Sequence, residues 1–106
     1  MTEAKRGGRR SRDKGNRAER AIVRFLQDKG FAAERVPLSG SAGGSYIGDI
    51  SIPVRGRDLC AEVKVRARGF QELYKWLQGR DLLMVRQDRR EPLVVVPLRL
   101  AAELVK

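Results

Sequence analysis

The amino-acid sequence predicts an α/β fold, a mixed sheet of about five strands flanked by helices. Three observations predict it. Between Asn16 and Gly30 the apolar residues Ala18, Ile22, Phe25 and Leu26 recur at helical spacing. From Leu59 to Val65 apolar and polar residues alternate with a period of two, as on a half-buried strand. Farther on, Leu82-Leu83-Met84-Val85 and Leu93-Val94-Val95-Val96 are short continuous apolar runs separated by the polar Arg86–Pro92 stretch, which reads as a second hairpin. The resulting order is helix, three strands, helix, two strands, helix. At 106 residues the chain is long enough for one modest core, and it contains no internal repeat. Residues 1–14 are read as a basic flexible arm and residues 15–106 as a single domain.

Each element has its own justification. The arm carries Lys5, Arg6, Arg9, Arg10, Arg12 and Lys14 around Gly7-Gly8 and has almost nothing to bury, so it is expected to be disordered when free. Such an arm either lies along phosphates and releases counterions or simply solubilises the chain. Asn16 is the expected N-cap of the first helix and Gly30 its left-handed stop, with Phe31 folding back onto the last turn. Phe31–Val36, closed by Pro37, reads as a strand. Ser39–Ser45 is a loop of small residues, mobile before substrate binds, whose amides and Ser39 hydroxyl are placed to contact phosphate. Gly48–Lys64 reads as a hairpin: Asp49 to Val54, a basic turn Arg55-Gly56-Arg57-Asp58, then Leu59 to Lys64.

Phe70, Leu73, Tyr74 and Leu77 share one face of an amphipathic helix ending at Gly79, and are expected in the core. Trp76 falls off that stripe, which suits an interface, a nucleobase contact or partial burial under a neighbouring strand. The continuous apolar runs after it suggest strands covered on both faces. Leu98–Val105 is a last short helix.

Composition narrows the function. Lys and Arg number 23 against 13 Asp and Glu, a formal charge of +10, so a polyanion is the expected partner, nucleic acid before an anionic membrane surface. There is no histidine, which excludes an imidazole-dependent triad and argues against zinc. One cysteine cannot form an internal disulfide, and a reducing, cytoplasmic setting is expected. No apolar run has the length of a membrane span.

The chemistry concentrates in the Gly48–Lys64 hairpin. Glu62 and Lys64 share the face opposite Leu59, Ala61, Val63 and Val65, and pairing the two strands places Asp49 beside Glu62. Two carboxylates at close range resist ionisation together, a conflict that a divalent cation removes. Mg²⁺ takes oxygen ligands and keeps several waters, so Asp49 and Glu62 make a protein half-site, with Mn²⁺ as a substitute. Lys64 stands beside it to orient a water or neutralise an attacked phosphate. Judged alone, Glu62-x-Lys64 reads more readily as an exposed ion pair at a strand end, since a two-residue motif recurs by chance. Glu19 leans over the edge of its helix's apolar stripe at i, i+3, i+4 and i+7 with Ile22, Val23 and Leu26, a placement that suits a third acid reaching a metal through water.

Taken together, Lys14-Gly15, Glu19-Arg20, a helix, Arg35, Ser39-Gly40, Gly48-Asp49 and Glu62-Val63-Lys64 resemble the archaeal-type Holliday junction resolvases of the PD-(D/E)XK nuclease superfamily. The resemblance covers about Lys14 to Lys64, with Gly48 standing where the superfamily's usual proline precedes the first acid. It implies a restriction-endonuclease-like core and a homodimer acting in DNA recombination and repair. It also implies a metal site served by Asp49, Glu62, the Val63 carbonyl and, through water, Glu19, with Lys64 catalytic. Ser39 would assist catalysis, and Arg20, Arg35, Ser39 and Gly40 would contact phosphate. Lys64, Arg66 and Arg68 alternate outward as the strand ends and extend a positive track, with Gln71 and Lys75 in line beyond them and Arg12 and Lys14 ahead of the first helix.

The expectation is a Mg²⁺-dependent endodeoxyribonuclease on branched DNA, with neither a membrane nor a small-molecule substrate. A PD-(D/E)XK nuclease acting on flaps, single strands or duplex DNA shares the same catalytic residues. A basic DNA-binding module without turnover is the reading from another class, and four charged groups retained at one spot argue against it.

Overall fold

The computed structural model describes residues 2–36 and 48–106, with side chains from residue 12 onward in the first stretch. The elements follow the predicted order: α1 (Thr2–Asp28), β1 (Glu34–Arg35), β2 (Ile50–Val54), β3 (Arg57–Ala61), α2 (Gln71–Leu77), β4 (Leu83–Val85), β5 (Leu93–Val95) and α3 (Leu98–Leu104). They group into two compact units, Met1–Val65 and Arg66–Lys106. In place of the expected single mixed sheet, the described strands pair as a three-stranded sheet in the order β1-β2-β3 and a two-stranded sheet β4-β5, both antiparallel.

In the first unit, α1 carries the apolar stripe that the spacing predicts. Val23 and Leu26 are buried with Ala33 and Ile50, while Ile22, Phe25, Phe31, Ile52, Ala61 and Val63 pack around them. Ile50 is wholly buried, so β2, the middle strand, supplies the centre of this core. The helix starts at Thr2, inside the stretch read as an arm, and not at Asn16. That stretch carries no apolar stripe, so periodicity gives no sign of the helix there.

The C-terminus of α1 is as expected. Gly30 has φ 97, its amide donates to the Gln27 carbonyl at 3.0 Å, and the Phe31 amide donates to the Leu26 carbonyl at 3.0 Å. These are the two bonds of a Schellman motif, and Phe31 accordingly turns back onto the core beside Leu26. Only Glu34-Arg35 of the expected Phe31–Val36 strand pairs with β2, in the register Glu34↔Ser51 and Arg35↔Ile50. The Val36 amide extends that pairing by donating to the Asp49 carbonyl at 2.9 Å.

The β2–β3 hairpin has the register Ile50↔Ala61, Ser51↔Cys60, Ile52↔Leu59, Pro53↔Asp58 and Val54↔Arg57. Its turn is therefore shorter than the four residues expected: Arg55 and Gly56 alone, with φ 50 and 82. Positive φ at both central residues is the requirement of a type I′ turn, whose twist matches that of the flanking strands. Beyond β3 the ladder stops at Ala61, yet the predicted alternation persists: Ala61, Val63 and Val65 are half-buried while Glu62 and Lys64 are exposed.

The second unit is built differently. α2 begins after Phe70 and ends at Leu77, with Gly79 at φ 77 just beyond. Leu73 and Leu77 are half-buried as expected, but Tyr74 is 76% exposed and Trp76 50%. Tyr74 shares the apolar face with Leu73 and Leu77, and its part of that face is left uncovered. The β4–β5 hairpin also departs from the prediction, because its strands are not covered on both faces: Met84, Leu93 and Val94 are exposed. Ala102 on α3 is the buried apolar residue of this unit among the described residues. Among the described residues no helix is long and apolar enough to cross a membrane.

Candidate active site

The site is assembled around Asp49, and the chain reaches it through a glycine. Gly48 has φ 90, and a Cβ built there would lie 2.9 Å from the Ala61 carbonyl oxygen. The close approach and the left-handed backbone both demand glycine, which accounts for the departure from the superfamily's proline. Proline fixes φ near −65° and cannot take this conformation. Just past it, the Asp49 amide donates to the Ala61 carbonyl at 2.8 Å, and the Val63 amide donates to Asp49 Oδ2 at 2.7 Å. Where the β2–β3 ladder would lose its next backbone partner, the carboxylate takes its place. Glu62 is thereby bracketed by two bonds to Asp49.

Glu62 and Lys64 project from the exposed side of this segment. Lys64 Nζ lies 3.5 Å from Glu62 Oε1, and both side chains are more than half exposed, at 58% for Lys64 and 55% for Glu62. Val63 between them is half-buried against the core, so its main chain is held from two sides, by packing and by Asp49. Asp49 is thus joined to the main chain on both sides of Glu62, and Glu62 to Lys64 by the ion pair.

Glu19 is paired with Arg35. Its Oε1 accepts from Arg35 Nε at 3.2 Å, with 15% of the Glu19 side chain and 30% of Arg35 exposed. Asn16, expected as an N-cap, lies inside α1, and its Oδ1 accepts from Arg35 Nη2 at 2.9 Å. The guanidinium fork is thus gripped at two points. Periodicity placed Glu19 correctly at the edge of the stripe, but nothing local in the sequence pairs it or Asn16 with a residue on β1.

Among the described residues no group of three or more His, Cys, Asp or Glu side chains is gathered to hold a metal. The donors present are the carboxylates of Asp49 and Glu62 and the main-chain carbonyl of Val63. This all-oxygen set fits Mg²⁺, which uses one or two carboxylates and retains waters, and it does not fit zinc.

Of the expected phosphate contacts, Arg12, Lys14 and Arg20 are exposed on α1, and Arg66 and Arg68 are exposed in the second unit. Ser39 and Gly40, with the rest of the loop, lie outside the described residues. Sequence reading passed over Arg24, one turn beyond Arg20 on the same exposed side of α1. The i, i+4 spacing of the two arginines was the available signal.

The chain is similar to known proteins. Two curated relatives are both named crossover junction endodeoxyribonuclease Hjc. The one from Sulfurisphaera tokodaii is 41% identical over 64 residues, which is 60% of this chain and 44% of that protein. The one from Sulfolobus acidocaldarius is 37% identical over 59 residues, 56% of this chain and 41% of that protein. The chain thus spans less than half the length of the curated relatives it matches. No solved structure matches it significantly. The family model described as archaeal Holliday junction resolvase (hjc) matches residues 10–103, and the chain belongs to that family.

Proposed function

We propose that this chain is a metal-dependent, structure-selective DNA endonuclease that resolves four-way junctions by paired phosphodiester hydrolysis. One observation carries the reading: Asp49 is fastened to the amide of Val63, in the middle of Glu62-Val63-Lys64, so that the acid of one strand and the Glu-x-Lys of the next form one rigid unit. Family membership and the relatives named crossover junction endodeoxyribonuclease support the substrate. The element order supports a restriction-endonuclease-like core.

Asp49, Glu62 and the Val63 carbonyl would hold Mg²⁺ or Mn²⁺, with Glu19 reaching it through water. When bound, the ion supplies Lewis-acid polarisation of the scissile phosphate and lowers the pKa of a water. The residues of the chain do the remainder. Asp49 is oriented by its hydrogen bond and needs no reorganisation when substrate arrives. Lys64 positions the attacking water and offsets charge developing at the phosphate. Its ion pair with Glu62 is solvent-screened and weak, so exchange for a phosphate contact costs little. Arg20, Arg35, Ser39 and Gly40 contact DNA phosphates, while Arg12, Lys14, Arg66 and Arg68 lie along the DNA backbone, which gives recognition by shape and charge in place of base sequence.

Two copies acting on opposed strands complete the reading, and the exposed Tyr74, Trp76, Met84 and Leu93 of the second unit support a homodimer. The deciding experiment is a cleavage panel in Mg²⁺ comparing four-way, three-way, flap, single-stranded and duplex DNA of shared sequence. Paired, symmetric nicks confined to the four-way substrate are expected. Cleavage of flaps or single strands in preference to the junction would move the substrate, and inertness on all five with Mg²⁺ and Mn²⁺ would remove the nuclease.

A further inference from the structure

The first unit has a second feature besides the acidic centre: a groove lined by Arg20, Ala21, Val23, Arg24, Gln27 and Arg35. Three of these six are arginines, and no carboxylate is among them. We propose that this groove binds a phosphodiester of a junction arm, with Arg24 as a DNA-contact residue alongside Arg20 and Arg35. The proposal rests on the nuclease reading and extends it from the cleaved phosphate to the arm that leads away from it.

Arg20 and Arg24 are exposed and one helical turn apart, so they are neighbours on the surface of α1, at the rim of the buried stripe that Val23 belongs to. Arg35 closes the groove from β1. Its Nε and Nη2 are occupied by Glu19 and Asn16, which orients the fork, and among the described residues no further hydrogen bond engages its remaining N–H donors. Gln27 ties the floor, its Nε2 donating to the Ala33 carbonyl at 2.9 Å just ahead of β1. Three guanidiniums, one of them already oriented by Glu19 and Asn16, suit a phosphate, because Arg forks bind phosphate oxygens in pairs and preorganisation lowers the entropy lost on binding. The charge of Glu19 offsets that of Arg35, so the groove keeps a positive excess from Arg20 and Arg24.

The test is the salt dependence of binding to a four-way DNA junction, measured with Ca²⁺ in place of Mg²⁺ to suppress turnover. Removing one phosphate contact makes the slope of log affinity against log salt shallower by about one. Arg24→Gln should show that change with several-fold weaker binding and an unaltered melting temperature. Arg24→Lys should recover the slope, since the charge is kept. A Gln variant with wild-type affinity and slope overturns the proposal. The two readings fail separately: a wild type that cleaves junctions while Arg24→Gln binds normally loses the groove alone. A wild type that cuts nothing yet loses a salt-dependent contact in Arg24→Gln loses the nuclease alone.

Discussion

The two units of the chain spend their apolar residues in opposite ways. In Met1–Val65, Val23, Leu26, Ala33 and Ile50 are buried together, and Leu59 is the large apolar side chain left exposed among the described residues. In Arg66–Lys106 only Ala102 is buried, while Tyr74, Trp76, Met84, Leu93, Val94 and Leu104 are at least half exposed. The difference teaches where precision is needed. Candidate catalytic groups must be held within a fraction of an ångström, and Asp49, Glu62 and Lys64 all hang from the unit with the packed centre. The second unit carries surface in place of a core.

If that division of labour is right, the largest effects belong to the first unit's acids. Glu62→Ala should lower junction cleavage by about a hundredfold or more while binding survives, and a parallel cleavage and mobility-shift assay reads both. Equal loss of binding and cleavage would assign Glu62 a structural part. Next comes the core. Ile50→Ala should cost about 2–5 kcal/mol in urea unfolding, whereas Met84→Ala in the second unit should cost under about 0.5 kcal/mol. Similar values for the two would erase the contrast. Gly48→Ala should be intermediate, about 1–3 kcal/mol, because it strains a left-handed backbone against the Ala61 carbonyl, and cleavage should fall with it since Asp49 follows directly. The smallest effect is expected at Asn16. Asn16→Ala frees one side of the Arg35 fork, leaves every charge in place, and should weaken junction binding by about twofold to fivefold without changing its salt slope.

Much of this arrangement is legible in the sequence, and the limits have physical causes. Periodicity reports which face of a segment is apolar, so the element order, the Ala61-Val63-Val65 face and the Glu62 and Lys64 positions can all be read directly. Gly30 announces the end of α1 because a left-handed C-cap has few other candidates. Partnership between distant strands has no such local signature, and the same strands pair as well in two antiparallel sheets as in one mixed sheet.

The start of α1 escapes for a different reason: a polar basic stretch has no apolar stripe to read. Tyr74 and Met84 mislead because periodicity says which residues share a face and not whether anything covers it. At the site, the hairpin suggests that Asp49 approaches Glu62, but the bond from the Val63 amide depends on where the ladder stops. The grip of Asn16 and Glu19 on Arg35 joins α1 to β1 across many residues of chain, beyond any pattern of spacing.

The tight bend at Arg55-Gly56 has a consequence for how this family member can vary. Asp49 and Glu62 ride on the two arms of one hairpin whose tip contains no spare residue, so their mutual position is a matter of counting. One residue inserted at the tip must either bulge outward or slide one arm past the other, and a slide by one would turn Glu62 toward the apolar side and Val63 toward water. Lineages that lengthen this tip are therefore expected to do so only by additions that leave the pairing of Ile50 with Ala61 untouched.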